Sequence, residues 1–167
     1  AGAMIYGASK GREFVDLENT RHTFPVPEDK QKALDAFNVE LKNLVEQPEN
    51  EKFGLIGSGL QFKFGQTTVA RQDIDKSIPE TESSAFLNTV ESLVAKLDPD
   101  EKTFRIEDTG LDIEIILTIG DANGEGGLKD FDKGDAVRFL NQALDLGMST
   151  GPHLVCGDTG SDVPMLE

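Results

Sequence analysis

The chain has 167 residues, of which 37% are hydrophobic, and this is enough to form the core of one medium or two small domains. Its formal net charge of −15 argues against nucleic acid or an anionic membrane as a partner. No signal-peptide pattern or long apolar run is present, so we expect a cytoplasmic protein, and its single cysteine, Cys156, cannot form an internal disulfide.

Helical and strand periodicities alternate along the first two thirds of the sequence. Apolar stripes predict one helix within residues 27–48 and a second within residues 77–98. Each helix is followed by a predicted β-hairpin, the first within residues 53–73 and the second within residues 103–117. This order predicts an α+β unit in which two helices cover one face of an antiparallel sheet.

Both predicted hairpins alternate between apolar and polar side chains, which assigns one face of the sheet to the helices and leaves the other polar. The apolar positions expected to face the helices include Leu60, Phe62, Ile113 and Ile115. The polar positions expected to share the opposite face are Gln61, Lys63, Arg71, Glu107 and Glu114. Taken one at a time, these polar residues are ordinary outward-facing residues of a half-exposed sheet.

The end of the sequence combines an apolar run with two carboxylates. Residues 154–156 are apolar and stop at Gly157, which is typical of a buried strand in a parallel sheet. Asp158 and Asp162 follow, and a helix is expected to begin at Val163. Carboxylates beyond the end of such a strand could hold Mg²⁺, whereas the alternative, weighed evenly, makes Asp158 a turn residue and Asp162 a helix cap.

Residues 121–132 carry oxygen-bearing side chains at spacings that resemble an EF-hand Ca²⁺ loop. The last position is Asp132 rather than the usual Glu, and a strand is predicted before the loop, so an acidic crossover is favoured over a Ca²⁺ site. Lys133 and Gly134 then open a predicted helix that ends at Gly147. A lysine beside a helix N-terminus can bind phosphate, although position alone favours a solvated loop lysine.

Three stretches resemble one superfamily of phosphatases. Residues 157–162, Gly-Asp-Thr-Gly-Ser-Asp, resemble the last motif of the haloacid dehalogenase superfamily, which carries acidic Mg²⁺ ligands. The pattern Lys-Gly-x-Ala-Val-x-x-Leu at Lys133 resembles its third motif, whose lysine holds both the phosphate and the nucleophilic aspartate. Residues 156–165 and 106–115 resemble its sugar-phosphatase branch, and in particular the nematode-type trehalose-6-phosphate phosphatases.

The resemblance implies an α/β fold, with part of a haloacid dehalogenase-like Rossmannoid core and an α+β cap domain. It divides the chain into a core segment and linker at residues 1–24, the cap at 25–120 and the C-terminal part of the core at 121–167. It implies Mg²⁺ ligation by Asp158 and Asp162, with Lys133 and Asp158 catalytic. A small-molecule sugar phosphate is the implied partner, and its implied contacts in the cap are Gln61, Lys63, Arg71, Glu107 and Glu114.

The superfamily depends on an Asp-x-Asp-Gly-Thr motif that this sequence lacks. Its first aspartate forms an aspartyl phosphate, and its second is the general acid and base. We therefore expect a piece of a longer protein that is inactive alone. Three functions stay open: Mg²⁺-dependent hydrolysis of trehalose-6-phosphate to trehalose and phosphate by the intact enzyme, hydrolysis of another sugar phosphate under the same cap, or non-catalytic sugar binding.

Overall fold

A computed structural model describes residues 4–120, 127–158 and 160–166. The chain forms two compact units, one made of Ala1–Pro25 and Phe131–Glu167 and the other of Val26–Asp130. Most of the Ca²⁺-like loop, residues 121–126, lies outside the described residues. Within the described ranges, no helix has the length and apolar character needed to cross a membrane.

The described residues form eight strands and four α-helices. The strands are β1 Tyr6–Ala8, β2 Glu13–Val15, β3 Arg21–Thr23, β4 Leu60–Lys63, β5 Gln66–Ala70, β6 Phe104–Asp108, β7 Asp112–Gly120 and β8 Leu128–Asp130. The α-helices are α1 Glu28–Val45, α2 Glu51–Leu55, α3 Glu80–Leu97 and α4 Lys133–Leu144. A 3-10 turn occupies Ser9–Gly11, and a 3-10 helix occupies Gly160–Met165.

The unit Val26–Asp130 is an antiparallel sheet covered by helices on one face. Its strands are ordered β4-β5-β7-β6, and β8 pairs with the last residues of β7. Helices α1 and α3 pack their apolar stripes on the sheet, and both contribute to a buried core with Val69, Ile113 and Ile115. The mixed α/β class and the helix-covered antiparallel sheet are therefore confirmed.

Three details of this unit differ from the sequence-based expectation. The short helix α2 occupies residues 51–55, where the alternating pattern predicted the start of a hairpin. Phe62 was expected to be covered by the helices, but it is 49% exposed because β4 is the edge strand of the sheet. Strand β8 extends the sheet as far as Asp130, beyond the predicted end of the cap at residue 120.

The other unit combines a small antiparallel sheet, β1-β2-β3, with helix α4. Its core is aromatic, since Phe24 makes edge-on contacts with Phe131 and Phe139, and Phe14 packs against Phe139. Edge-on aromatic pairs of this kind stabilise a small core beyond the area they bury. The predicted helix at Lys133 is present as α4 and positions that lysine at its first residue.

The predicted buried strand at residues 154–156 is wrong. Residues 151–157 have no regular secondary structure, Leu154 is 90% exposed, and Cys156 is exposed. A strand needs a neighbour to satisfy its backbone N–H and C=O groups, and none of the described strands pairs with this run. The following helix is a 3-10 helix that begins at Gly160, rather than a helix beginning at Val163.

Candidate functional site

Lys133 and Asp162 form an ion pair, although 29 residues separate them in sequence. The Lys133 ammonium group contacts Oδ1 of Asp162, and the Asp162 side chain is only 5% exposed. The second carboxylate oxygen of Asp162 accepts the backbone N–H of Asp158 at 3.0 Å. The lysine and the two acidic residues singled out from the sequence are therefore brought together, with Asp162 buried between Lys133 and the Asp158 backbone.

Two glycines allow this close approach. A Cβ atom at Gly134 would lie 2.4 Å from the carbonyl oxygen of Pro164, and one at Gly157 would lie 2.3 Å from Cβ of Asp162. Real Cβ atoms do not tolerate such contacts with backbone atoms, so any side chain at Gly134 must push the 3-10 helix away. The Lys-Gly and Gly-Asp pairs in the motifs thus have a packing reason: each glycine lets the two segments touch.

A capping box fixes the start of α4, directly before Lys133. The Asp132 side chain accepts the N–H of Asp135 at 2.8 Å, and the Asp135 side chain accepts the N–H of Asp132 at 3.1 Å. Arg138 donates to Asp135 at 2.8 Å, and this bond raises the pKa of the Arg138 guanidinium. Sequence reasoning missed this group, although Asp132-x-x-Asp135 is a recognisable variant of the capping-box pattern.

The donor chemistry of Asp158 and Asp162 fits Mg²⁺, which is commonly held by one or two carboxylates plus substrate phosphate and water. The Asp158 side chain is exposed and therefore open to an incoming ion. No group of three or more His, Cys, Asp or Glu side chains that could hold a metal occurs among the residues with assigned positions. The two aspartates would thus supply only part of a coordination shell.

A row of polar side chains crosses the face of the large sheet opposite to its helices. Gln61 pairs with Thr68, Thr68 pairs with Glu114, and Glu114 pairs with Glu107. Successive residues of a strand point to opposite faces, and the alternate residues Val69, Ile113 and Ile115 lie in the helix-covered core. Gln61, Glu114 and Glu107 therefore share one face as predicted, and Thr68 is a member of the row that the sequence analysis missed.

The row juxtaposes Glu107 and Glu114 directly across two strands. Lys63 approaches the middle of the same row, because its ammonium group donates to Oγ1 of Thr68 at 3.0 Å. Gln61 and Glu107 are exposed, while Lys63 and Glu114 are half-buried, and the row thus offers both acceptors and donors.

Arg71 does not belong to this polar face, contrary to the sequence-based expectation. Its guanidinium donates to Ser83 of α3 at 2.8 Å and to Asp108 at 2.7 Å, on the side of the sheet that the helices cover. The Asp108 bond raises the pKa of Arg71, and although burial raises the pKa of Asp108, its bond to Arg71 brings that pKa below the usual value. Arg71 is 9% exposed and is a structural residue of the sheet–helix interface.

The sequence comparisons point to a family of phosphoric monoester hydrolases. Over residues 1–167 the sequence matches the family model described as Trehalose-6-phosphate phosphatase, C-terminal. The chain belongs to this family.

The relatives with curated names are nematode proteins. A protein of Aphelenchoides avenae named alpha,alpha-trehalose-phosphate synthase [UDP-forming] 1 is 35% identical over 167 residues, covering 99% of this chain and 14% of that protein. The trehalose-phosphatase of Caenorhabditis elegans is 29% identical over 168 residues, covering 99% of this chain and 37% of that protein. The chain therefore spans only a minor part of each of these relatives.

A solved structure of N-terminal truncated, IMP-bound Plasmodium falciparum IMP-nucleotidase aligns with 84% of this chain and 36% of that chain. Its sequence identity is 13% and its TM-score is 0.39. A second structure of Plasmodium falciparum IMP-nucleotidase aligns with a TM-score of 0.38. Similarity at this level carries no argument about the function of the chain.

Proposed function

We propose that this chain carries the sugar-binding and phosphate-binding residues of a Mg²⁺-dependent trehalose-6-phosphate phosphatase. The proposal is based mainly on the cluster of Lys133, Asp158 and Asp162. These residues come from two separate motifs, and the folded chain brings them into contact. The family match over the whole chain and relatives named trehalose-phosphatase support it.

Lys133 would hold the phosphate of the substrate, because an ammonium group forms strong charge-assisted bonds with phosphate oxygens. The buried carboxylate of Asp162 orients that ammonium group, and the capping box at Asp132 and Asp135 fixes the first turn of α4 beneath it. Asp158 and Asp162 would hold Mg²⁺. When bound, that ion would neutralise charge on the transferring phosphoryl group.

The polar row on the sheet would bind the sugar by hydrogen bonds. Apart from its phosphate, trehalose-6-phosphate presents hydroxyl groups, which both donate and accept hydrogen bonds. Carboxylates such as Glu107 and Glu114 can each accept two hydroxyl protons, while Gln61 and Lys63 supply donors.

The metal assignment is tested in a longer protein that carries this segment and an upstream Asp-x-Asp-Gly-Thr motif. Asp158→Asn removes one negative oxygen donor and should abolish Mg²⁺-dependent phosphate release while the circular dichroism spectrum stays unchanged. Asp145→Asn is the matched control, since Asp145 is exposed beyond the end of α4 with φ of 50°, a conformation that asparagine accepts readily. Near-normal phosphate release by Asp158→Asn would contradict the assignment of Asp158 as a metal ligand.

The substrate assignment is tested by comparing two substrates in that same protein. A hydrogen bond to a charged group contributes about 1.5–3 kcal/mol. Glu107→Ala should therefore lower kcat/KM for trehalose-6-phosphate by about 10- to 100-fold. Hydrolysis of p-nitrophenyl phosphate, which has no sugar, should change little. Glu40→Ala, on the exposed side of α1, is the control. If Glu107→Ala slows both substrates equally, the sugar-reading role must be dropped.

Two other functions are distinguished by comparing phosphate release from several sugar phosphates. Faster release from glucose, sucrose or mannosyl-glycerate phosphates than from trehalose-6-phosphate would indicate a different sugar phosphatase with the same sheet. Trehalose binding without turnover would indicate a non-catalytic sugar-binding module.

A further inference from the structure

A pocket of about 520 Å³ lies within the unit formed by Ala1–Pro25 and Phe131–Glu167. Two lysines, Lys10 and Lys133, line it, and the other lining residues are small or apolar, with Phe14 and Met165 among them. None of the described lining residues is a carboxylate. Two lysines without a lining carboxylate are unusual in a chain with 31 acidic and 16 basic residues.

Lys10 is presented by a strained segment of backbone. Ser9, Lys10 and Gly11 have φ of 54°, 56° and 87°, so three consecutive residues adopt the left-handed conformation. Only glycine takes this conformation without cost, and two of the three are not glycine. Strained backbone of this kind persists where its surroundings enforce it, and it clusters at ligand-binding sites.

The strained turn is fixed against the helix that carries Lys133. A Cβ atom at Gly11 would lie 2.4 Å from Cβ of Ala136, so the turn touches the first turn of α4. On its other side, the Ser9 hydroxyl donates to Glu13 of β2 at 2.8 Å. The turn that carries Lys10 is thus packed against the helix that carries Lys133.

We propose that Lys10 is a second phosphate-binding residue, which acts with Lys133 on the phosphate group of the substrate. This inference rests on the proposed function for the identity of that substrate, a sugar phosphate. A phosphate monoester carries up to two negative charges and three acceptor oxygens, and a single ammonium group satisfies only part of them. The left-handed backbone at Lys10 would then be retained because it directs this ammonium group to the pocket.

Binding of inorganic phosphate to the 167-residue chain tests the inference without any turnover. The titration would follow NMR shifts of the Lys133 and Ala136 amides. Lys10→Asn removes the charge and suits the left-handed backbone, so it should fold normally. It should raise the dissociation constant for phosphate about 10-fold, whereas Lys10→Arg, which keeps the charge, should stay within about threefold of the unmodified chain.

Lys32→Asn is the matched control, because Lys32 lies on α1 with 73% of its side chain exposed and forms an ion pair with Glu28 of the same helix. It loses the same charge and should leave phosphate binding unchanged. The inference is overturned if Lys10→Asn binds phosphate like the unmodified chain, if Lys32→Asn weakens binding equally, or if the unmodified chain does not respond to phosphate.

These outcomes are distinct from those that test the proposed function. If the longer protein fails to hydrolyse trehalose-6-phosphate while Lys10→Asn weakens phosphate binding, the role of Lys10 stands and the proposed function falls. If hydrolysis proceeds but Lys10→Asn binds phosphate normally, the proposed function stands and the role of Lys10 falls.

Discussion

Substitution of Gly134 tests whether close packing of α4 against the 3-10 helix holds the lysine–aspartate cluster together. A Cβ atom there would lie 2.4 Å from the carbonyl oxygen of Pro164 and 3.0 Å from Oδ1 of Asp132. Alanine favours a helix over glycine by up to about 1 kcal/mol. Overpacking of a tight contact costs about 1–3 kcal/mol, so we expect Gly134→Ala to lower the free energy of unfolding by about 1–2 kcal/mol.

Urea denaturation measures this change. With a slope of about 1–3 kcal/mol per molar urea for small proteins, the midpoint should fall by about 0.3–2 M. Gly160→Ala is the control, since no atom lies within 4 Å of a Cβ added there, and its free energy of unfolding should change by less than about 0.5 kcal/mol. A midpoint for Gly134→Ala that equals or exceeds that of the unmodified chain would refute the packing argument, because helix propensity alone would then explain the result.

Three further outcomes are expected. Although burial raises the pKa of Asp108, its bond to Arg71 brings that pKa below the usual value, so the ionised carboxylate stabilises the fold above its unfolded pKa of about 3.9. This contribution is lost as the pH falls through the lower pKa of the folded state. Asp108→Asn should therefore make the free energy of unfolding, measured by urea titration, depend less on pH in acid. Ile113→Ala, at a fully buried position, should lower the free energy of unfolding by about 2–5 kcal/mol, whereas Leu55→Ala, at a position 78% exposed, should change it by less than about 0.5 kcal/mol. The 167-residue chain alone should release no phosphate from trehalose-6-phosphate with Mg²⁺, because it lacks the nucleophile motif, and steady release by a preparation free of other phosphatases would contradict this.

The lysine–carboxylate cluster shows which part of a site can be read from motifs. The residue types and their spacing indicated that Lys133, Asp158 and Asp162 belong to one site. The motifs did not reveal that Asp162 is buried against Lys133, since that contact joins residues 29 positions apart. Nor did they reveal that Gly134 has to be glycine on account of Pro164, because only the folded chain brings these backbones together.

The long helices and the main strands of the large sheet were determined by the sequence itself. Apolar residues at helical spacing predicted α1, α3 and α4, and alternation predicted the faces of β4 to β7, because each element buries its own stripe or face. Gln61, Glu107 and Glu114 could therefore be assigned to one face before any pairing was known. That Thr68 lies between them depends on strand register, which the tertiary structure decides.

Two assignments failed, and only the tertiary structure corrected them. Arg71 lies two residues after the core residue Val69, so alternation continued past β5 places its side chain on the helix-covered side, where it donates to Ser83 and Asp108, whereas the sequence analysis had assigned it to the polar face. The apolar run at residues 154–156 fails for a different reason. A strand forms only when a neighbour accepts and donates its backbone hydrogen bonds, and a local sequence carries no information about whether that neighbour is present.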